Sequence, residues 1–261
     1  MRGLNKSVMS GFILCFGMII LGIASNGGIK TIVNFIHIPS MLITFGGAIF
    51  AVLITSESLD EFLDGMGSIR IAFSKKQSGL DEIGDMIYEL ALVARKEGML
   101  ALEGKEDYIE QPFLSKGIRL VIDGTDAELL KDILETELLH ETEENRRRVT
   151  FWENLGGYAP AWGMVGTLLG LINMLKSMSS DSSAIGGGMS LALLTTLYGS
   201  VLANWICIPL AGKLRRTGSI NELEKELIIE GVLSIQAGDN PMLIKEKIRT
   251  FRANWEEKEA A

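Results

Sequence analysis

Residues 154–175 read NLGGYAPAWGMVGTLLGLINML and residues 182–212 read SSAIGGGMSLALLTTLYGSVLANWICIPLAG; these runs of 22 and 31 residues hold no Asp, Glu, Lys or Arg. A helix rising 1.5 Å per residue needs about 20 apolar residues to cross a hydrocarbon core of ~30 Å, so each run is long enough to span a membrane. Working outward, residues 7–29 and 31–56 form two more uncharged runs, of 23 and 26 residues. The 261-residue chain looks soluble by composition, with 47% hydrophobic and 22% charged residues. The uneven placement of its charges excludes an ordinary soluble globular protein. The expected fold is an all-α integral membrane protein with four transmembrane helices and a helical cytoplasmic domain. Residues 1–56 hold the first two spans, 57–153 the cytoplasmic domain, 154–212 the third and fourth spans, and 213–261 cytoplasmic C-terminal helices.

The remaining charges orient these spans. Arg2, Lys6, Arg70, Lys75, Lys76, Arg146, Arg147, Arg148, Lys213, Arg215 and Arg216 fall near span ends on one side, and only Lys30 and Lys176 on the other. The positive-inside rule then places both termini and the middle segment in the cytoplasm. Two very short connections face outward, so any external work belongs to a partner. Arg2 and Lys6 before an apolar run resemble a secretory signal, but a second span follows at once, which reads as a retained first helix. With 33 acids against 25 basic residues and a pI near 5.0, no basic face exists for nucleic acid.

The cytoplasmic segments show helical periodicity. Leu59, Phe62, Leu63, Met66, Ile69 and Phe73 make one apolar stripe, and Leu80, Ile83, Ile87 and Leu90 another. Asp123-Gly124 predicts a turn, and Thr125 with Glu128 a capping box opening a helix that carries Leu130, Ile133, Leu134 and Leu138. That helix meets no breaker before Gly156, so it is expected to run from the cytoplasm into the third span. Asn221 with Glu224 repeats the cap signature, and Gly238-Asp239-Asn240-Pro241 separates two short tail helices.

Ion-handling chemistry is sparse in the spans. A charged side chain at the centre of a membrane helix costs at least ~2.5–3.5 kcal/mol and is retained where ions are moved, yet all four spans lack a carboxylate. His37 reads as interfacial or packed more readily than as a proton relay. Cys15 and Cys207 have no ligand-spaced neighbour and read as packing residues, with no metal site and no cofactor. Pro160 removes the hydrogen bond to the Gly156 carbonyl, and Pro209 either bends the fourth span or ends it. Gly166 and Gly170 form a GxxxG pair, and Gly188, Ala192, Thr196 and Ser200 fall four apart, a face on which another backbone can approach. Thr167, Thr195 and Thr196 offer hydroxyls for a passing cation, or for their own helix carbonyls.

Together these stretches, APAWGMVGTLLGLINML (159–175), MSLALLTTLYGSVLANWICIP (189–209) and GVLSIQAGDNP (231–241), resemble the flagellar stator A subunit, the MotA/PomA family. The ExbB/TolQ energisers of periplasm-spanning transport are similar in the two pore spans only, and they remain the alternative. The resemblance implies a homo-oligomer in the cytoplasmic membrane that surrounds two helices of a stator B subunit carrying a transmembrane aspartate and a peptidoglycan-binding domain. It implies no enzyme activity and a transported H⁺ (or Na⁺). It maps the family's coupling prolines onto Pro160 and Pro209 and its pore threonines onto Thr167 and Thr196. Its contacts with the rotor switch protein fall in the segment 94–103, at Arg95 and Glu103. Thr167 resembles the sodium-using branch, whereas His37 and the lack of a fuller oxygen cluster favour H⁺.

Overall fold

The computed structural model describes residues 6–74, 79–104, 109–177 and 184–260; Arg2, Lys75 and Lys76 lie outside the described residues. Among the described residues all regular elements are helical, with the α-helices in the order α1 (Lys6–Gly27), α2 (Ile38–Met41), α3 (Gly47–Thr55), α4 (Leu59–Gly67), α5 (Ile69–Phe73) and α6 (Leu80–Glu97). There follow α7 (Pro112–Ile122), α8 (Ala127–Ser177), α9 (Ala184–Val201), α10 (Ile208–Gln236) and α11 (Pro241–Ala260). A π-helical turn, Leu42–Gly46, joins α2 to α3, and another, Leu202–Cys207, joins α9 to α10. Among the described residues, four stretches are long and apolar enough to cross a membrane: Val8–Ser25, Ile38–Thr55, and segments within Ala127–Ser177 and Ile185–Gln236. The chain divides into two compact units, Met1–Lys75 with Asn145–Arg216, and Lys76–Glu144 with Thr217–Ala261.

The first unit contains the spans together with α4 and α5. Ser58 caps α4 by accepting from the Glu61 N–H at 3.1 Å, while the Glu61 carboxylate accepts from the Glu57 N–H at 2.7 Å. Gly65 leaves room for the Phe151 ring of α8, since a Cβ there would lie 2.5 Å from it. Trp152 donates its indole N–H to Ser68 at 2.9 Å, and Arg148 pairs with Asp64 at 2.7 Å. Only two of the six residues of the stripe expected over 59–73 are therefore used in the core. Phe62 and Phe73 pack against the core, whereas Leu59, Leu63, Met66 and Ile69 stay exposed, because small Gly65 and Ala72 face inward.

The second unit has an apolar core of Ile83, Ile87, Leu114, Ile118, Leu134, Ile228 and Val232, which buries the 80–90 stripe as expected. The turn at Asp123-Gly124 also forms. Gly124 adopts φ +72°, and the Thr125 N–H donates back to the Leu120 carbonyl at 3.1 Å. The cap of α8 falls one residue later than expected: the Asp126 carboxylate, not Thr125, accepts from the Glu128 N–H at 2.9 Å. No helix starts at Asn221, contrary to the capping pattern, because α10 continues through it. Asn221 instead donates to Glu141 at 3.3 Å, and Lys225, which pairs with Glu141, lies 4.3 Å from the Phe113 ring centroid. Asn240 does cap α11, accepting from the Met242 N–H at 3.1 Å.

Helix α8 is unbroken for 51 residues: it runs into the third span as the absence of breakers before Gly156 predicts, and it also continues through Pro160, where the lost hydrogen bond leads the sequence to expect a kink. Pro209 lies in the first turn of α10 and does not end it. Antiparallel α8 and α9 are in backbone contact through Ala159, Gly163, Gly166 and Gly170 on one side, and Gly188, Ala192, Thr195 and Gly199 on the other. This face differs from the four-residue row 188, 192, 196, 200. At 3.6 residues per turn, three successive steps of four drift by about 120°, which carries Thr196 to the edge of the contact and Ser200 out of it. Alternating steps of four, three and four stay on it.

A Cβ at Gly170 would lie 2.5 Å from the Gly188 carbonyl and 2.6 Å from the Ala192 nitrogen, both backbone atoms that cannot swing aside. Gly170→Ala should therefore cost about 1–3 kcal/mol and lower the thermal unfolding midpoint of the detergent-purified protein. Gly187→Ala, where the added carbon meets nothing within 4 Å, should leave the midpoint unchanged.

Candidate functional site

The close approach of α8 to α9 assembles a cluster of hydroxyls. Thr167 Oγ1 lies 3.0 Å from its own-helix Gly163 carbonyl, 3.0 Å from the Ala192 carbonyl across the contact, and 2.5 Å from Thr196 Oγ1. The Ala192 carbonyl is also 3.0 Å from Thr195 Oγ1 and 3.3 Å from Thr196 Oγ1. Three hydroxyls thus converge on one carbonyl with two lone pairs, and each has a single proton to give. Thr195 has a second acceptor in Leu191 at 2.9 Å, and Thr167 has Gly163. Either hydroxyl can donate in the Thr167–Thr196 contact, and Thr196 is its exposed member, with an oxygen that can also meet an outside donor or a cation.

The three sequence-selected threonines therefore separate into two kinds. Thr167 and Thr196 form a pair at the exposed edge of the helix contact. Thr195 is fully buried, its methyl group set into the space that Gly166 leaves, and its hydroxyl is held by carbonyls of its own helix. Its backbone carbonyl accepts from Thr44 Oγ1 at 3.3 Å, which joins the second span to α9. Ser40 repeats this contact at the Leu191 carbonyl, 3.4 Å away. Serine and threonine are unremarkable as residue types in apolar runs, so Ser40 and Thr44 carried no sequence signal for this role; only the interhelical contact identifies them.

His37 belongs to a clasp at the start of α2. Its Nδ1 lies 2.7 Å from Ser40 Oγ, and its backbone N–H donates to the Tyr198 oxygen at 3.0 Å. The Tyr198 hydroxyl in turn donates to the Phe35 carbonyl, and its ring stacks on Phe45 at 5.7 Å. This arrangement spends the histidine on structure.

Pro160 and Pro209 both lie within continuous helices and are exposed. Arg95 and Glu103 lie in the second unit, and both are exposed. Helix α6 ends at Glu97, because Gly98 takes φ +90°, so the two charges are not on one helix. A short 3₁₀ turn, Met99–Leu102, separates them, anchored by fully buried Leu102. Among the described residues no group of His, Cys, Asp or Glu could hold a metal ion. Cys15 is exposed and Cys207 buried, both as free thiols.

Comparison with known proteins bears on this arrangement. The MotA/TolQ/ExbB proton channel family matches residues 105–227. A motility protein A from Aquifex aeolicus is similar at 39% identity over 246 residues, covering 94% of this chain and 95% of that protein. The structure of C. jejuni MotAB is similar with a TM-score of 0.85 at 27% identity, covering 95% of each chain. The flagellar MotAB stator complex from Bacillus subtilis is similar with a TM-score of 0.83 at 30% identity, covering 93% of this chain and 94% of that one.

The clasp around Tyr198 is testable separately from any ion movement. Tyr198→Phe keeps the ring stacking but leaves the Phe35 carbonyl and the His37 N–H without their partner. Stability measured by detergent-phase unfolding should fall by about 1–3 kcal/mol.

Proposed function

Since the chain belongs to the motility protein A family, the A subunits of the flagellar motor stator, we propose that it forms with a B subunit an ion channel whose cation flow turns the rotor. It is a stator component and not an enzyme. The proton channel family also includes the ExbB/TolQ energisers, but the similarity to motility protein A and to MotAB structures extends over nearly the whole chain.

The observation that carries the channel reading is the Thr167–Thr196 pair, which presents an exposed hydroxyl oxygen on membrane helices that contain no carboxylate. A carboxylate that binds and releases the ion then has to come from the partner, as a transmembrane aspartate on a B-subunit helix surrounded by several copies of this chain. A peptidoglycan-binding domain on that partner supplies the external anchor, which the two short outer connections lack. Each monovalent cation releases about 2.3 kcal/mol per 100 mV of membrane potential. The cation in this reading is H⁺, with Na⁺ as the alternative. One hydroxyl pair offers little of the oxygen cage that sodium requires.

The protein lies in the cytoplasmic membrane with both termini inside, an orientation supported by the excess of Lys and Arg on one side. The second unit, with exposed Arg95 and Glu103, then faces the rotor switch protein. Pro160 and Pro209, each within a continuous helix of the spans, couple ion passage to movement by removing one backbone hydrogen bond apiece.

Ion flux in liposomes tests the channel. The chain alone should not conduct, and with its B subunit it should. Thr196→Val should reduce flux by about tenfold or more, whereas Thr195→Val, which removes a hydroxyl held by its own helix, should keep most of it. Equal flux in the two variants would overturn the role of the pair.

Charge reversal tests the rotor contact. Exposed ion pairs are worth roughly 0–1 kcal/mol and are screened by salt, so neutral substitutions should weaken swimming only partly. Arg95→Glu or Glu103→Lys should reduce swimming with protein level and ion flux unchanged, and a compensating reversal on the switch protein should restore part of it.

A further inference from the structure

In the second unit a groove of about 520 Å³ lies between α8 and α10, with Phe251 of α11 contributing to its lining. Its α8 wall extends from Lys131 to Thr142 and its α10 wall from Glu222 to Leu233. At 1.5 Å per residue each wall is about 16 Å long, or three helical turns. The two helices run antiparallel here: Glu141 meets Asn221 and Lys225 at one end, and Gln236 donates to the Thr125 carbonyl at the other.

The floor of the groove is apolar. Leu138, Ile229 and Leu233 line it, and Leu139 beside them is 65% exposed. The edges are acidic. Glu222, Glu226 and Glu230 follow one another at four-residue spacing and stand in one row along α10, and Glu135 lines the α8 side. Lys131 reaches Glu135 at 3.7 Å, and Lys247 of α11 meets Glu230 at 2.6 Å. Such exposed pairs contribute little, so their carboxylates exchange readily for other cations. Like charges four apart on a helix repel, and cations placed beside the α10 row relieve that repulsion.

This chemistry selects among occupants. The carboxylates repel nucleic acid and anionic headgroups. A small apolar ligand is enclosed by its site over most of its surface, which a trough with so exposed a leucine does not achieve. A helix of three turns matches the groove in length, and an amphipathic one offers an apolar stripe to the floor and charges to the edge. We infer that the groove receives an amphipathic helix of a partner protein, with its apolar stripe on Leu138, Leu139, Ile229 and Leu233. A row of Lys or Arg at four-residue spacing on that helix meets Glu222, Glu226 and Glu230. The surface shares no residue with the threonine pair or with Arg95 and Glu103, so the inference is independent of the channel and rotor readings.

The first test is binding of a fluorescent four-turn helical peptide, with one stripe of Leu flanked by Lys at four-residue spacing, to the purified complex of A and B subunits. Nanodiscs of phosphatidylcholine carry no net charge to attract it. The peptide should bind, a Glu-for-Lys version should bind at least about tenfold more weakly, and added salt should weaken binding. Glu222→Lys with Glu226→Lys should weaken it about tenfold or more, and so should Leu139→Asp, at a position exposed enough to leave the fold intact. The same reversal of two exposed acids on α6, Glu82→Lys with Glu89→Lys, should leave binding within about twofold, which separates the groove from general charge attraction. No binding, equal binding of the two peptides, or equal loss in the groove and α6 variants would overturn the inference. The second test places a photo-crosslinking amino acid at Leu139 in cells and sequences the adduct. A helical segment of another protein with a basic four-residue row supports the inference; a second copy of this chain, its own α11, a segment without such a row, or no adduct overturns it.

Discussion

The contact between α8 and α9 is set by the absence of side chains. At Gly163, Gly166, Gly170, Gly188 and Gly199 an added carbon would fall between 2.4 and 2.8 Å from atoms of the facing helix. In a bilayer, apolar side chains gain little by leaving lipid for protein, so helices associate through close packing and interhelical hydrogen bonds. Small residues allow both. The approach brings Thr167 within reach of a carbonyl on the other helix and places its oxygen next to that of Thr196. Any larger residue along the stripe would separate the hydroxyls before it affected their chemistry.

The second span depends on the same helix pair. Ser40 and Thr44 lie one turn apart and reach the Leu191 and Thr195 carbonyls, also one turn apart, while Gly47 receives the Trp162 ring. The parallel course of this span beside α9 follows from that register. A π-helical turn lies in each of the two partners, at Leu42–Gly46 and Leu202–Cys207. Such turns contain an extra residue and shift the faces that follow them. Within and beyond the second turn, Asn204, Pro209 and Lys213 line an open groove beside α1, while Cys207, Leu210 and Leu214 are buried.

The second unit follows soluble packing rules. Gly84, Gly117 and Gly231 admit Ile248, Val232 and Ile87, so its helices interlock around branched side chains. Its charges lie outside that core, apart from Glu224 and Lys225, which are 2% and 5% exposed. The Lys247 ammonium shows the usual surface arrangement: its hydrogen bond to Glu230 raises its pKa, with Asp239 adding to the effect.

The four spans, the all-helical class, the long α8 and the turns at Gly124 and Gly238 are legible in the sequence, because each depends on composition or on a local backbone preference. So is the candidacy of Thr167 and Thr196, as hydroxyls on spans without carboxylates. The sequence did not distinguish Thr195 from its neighbour. Adjacent residues on a helix differ by about 100° in direction, and only the position of α8 decides that Thr195 is buried and Thr196 exposed. The cap motif at Asn221 failed for a similar reason: packing against Glu141 and Phe113 favours a continuous helix over a local signal worth only about 1 kcal/mol. Local chemistry determined which segments are helical and which of them can enter a membrane. Tertiary structure decided which face of each helix meets a neighbour, because that choice depends on shapes brought together from residues more than twenty positions apart.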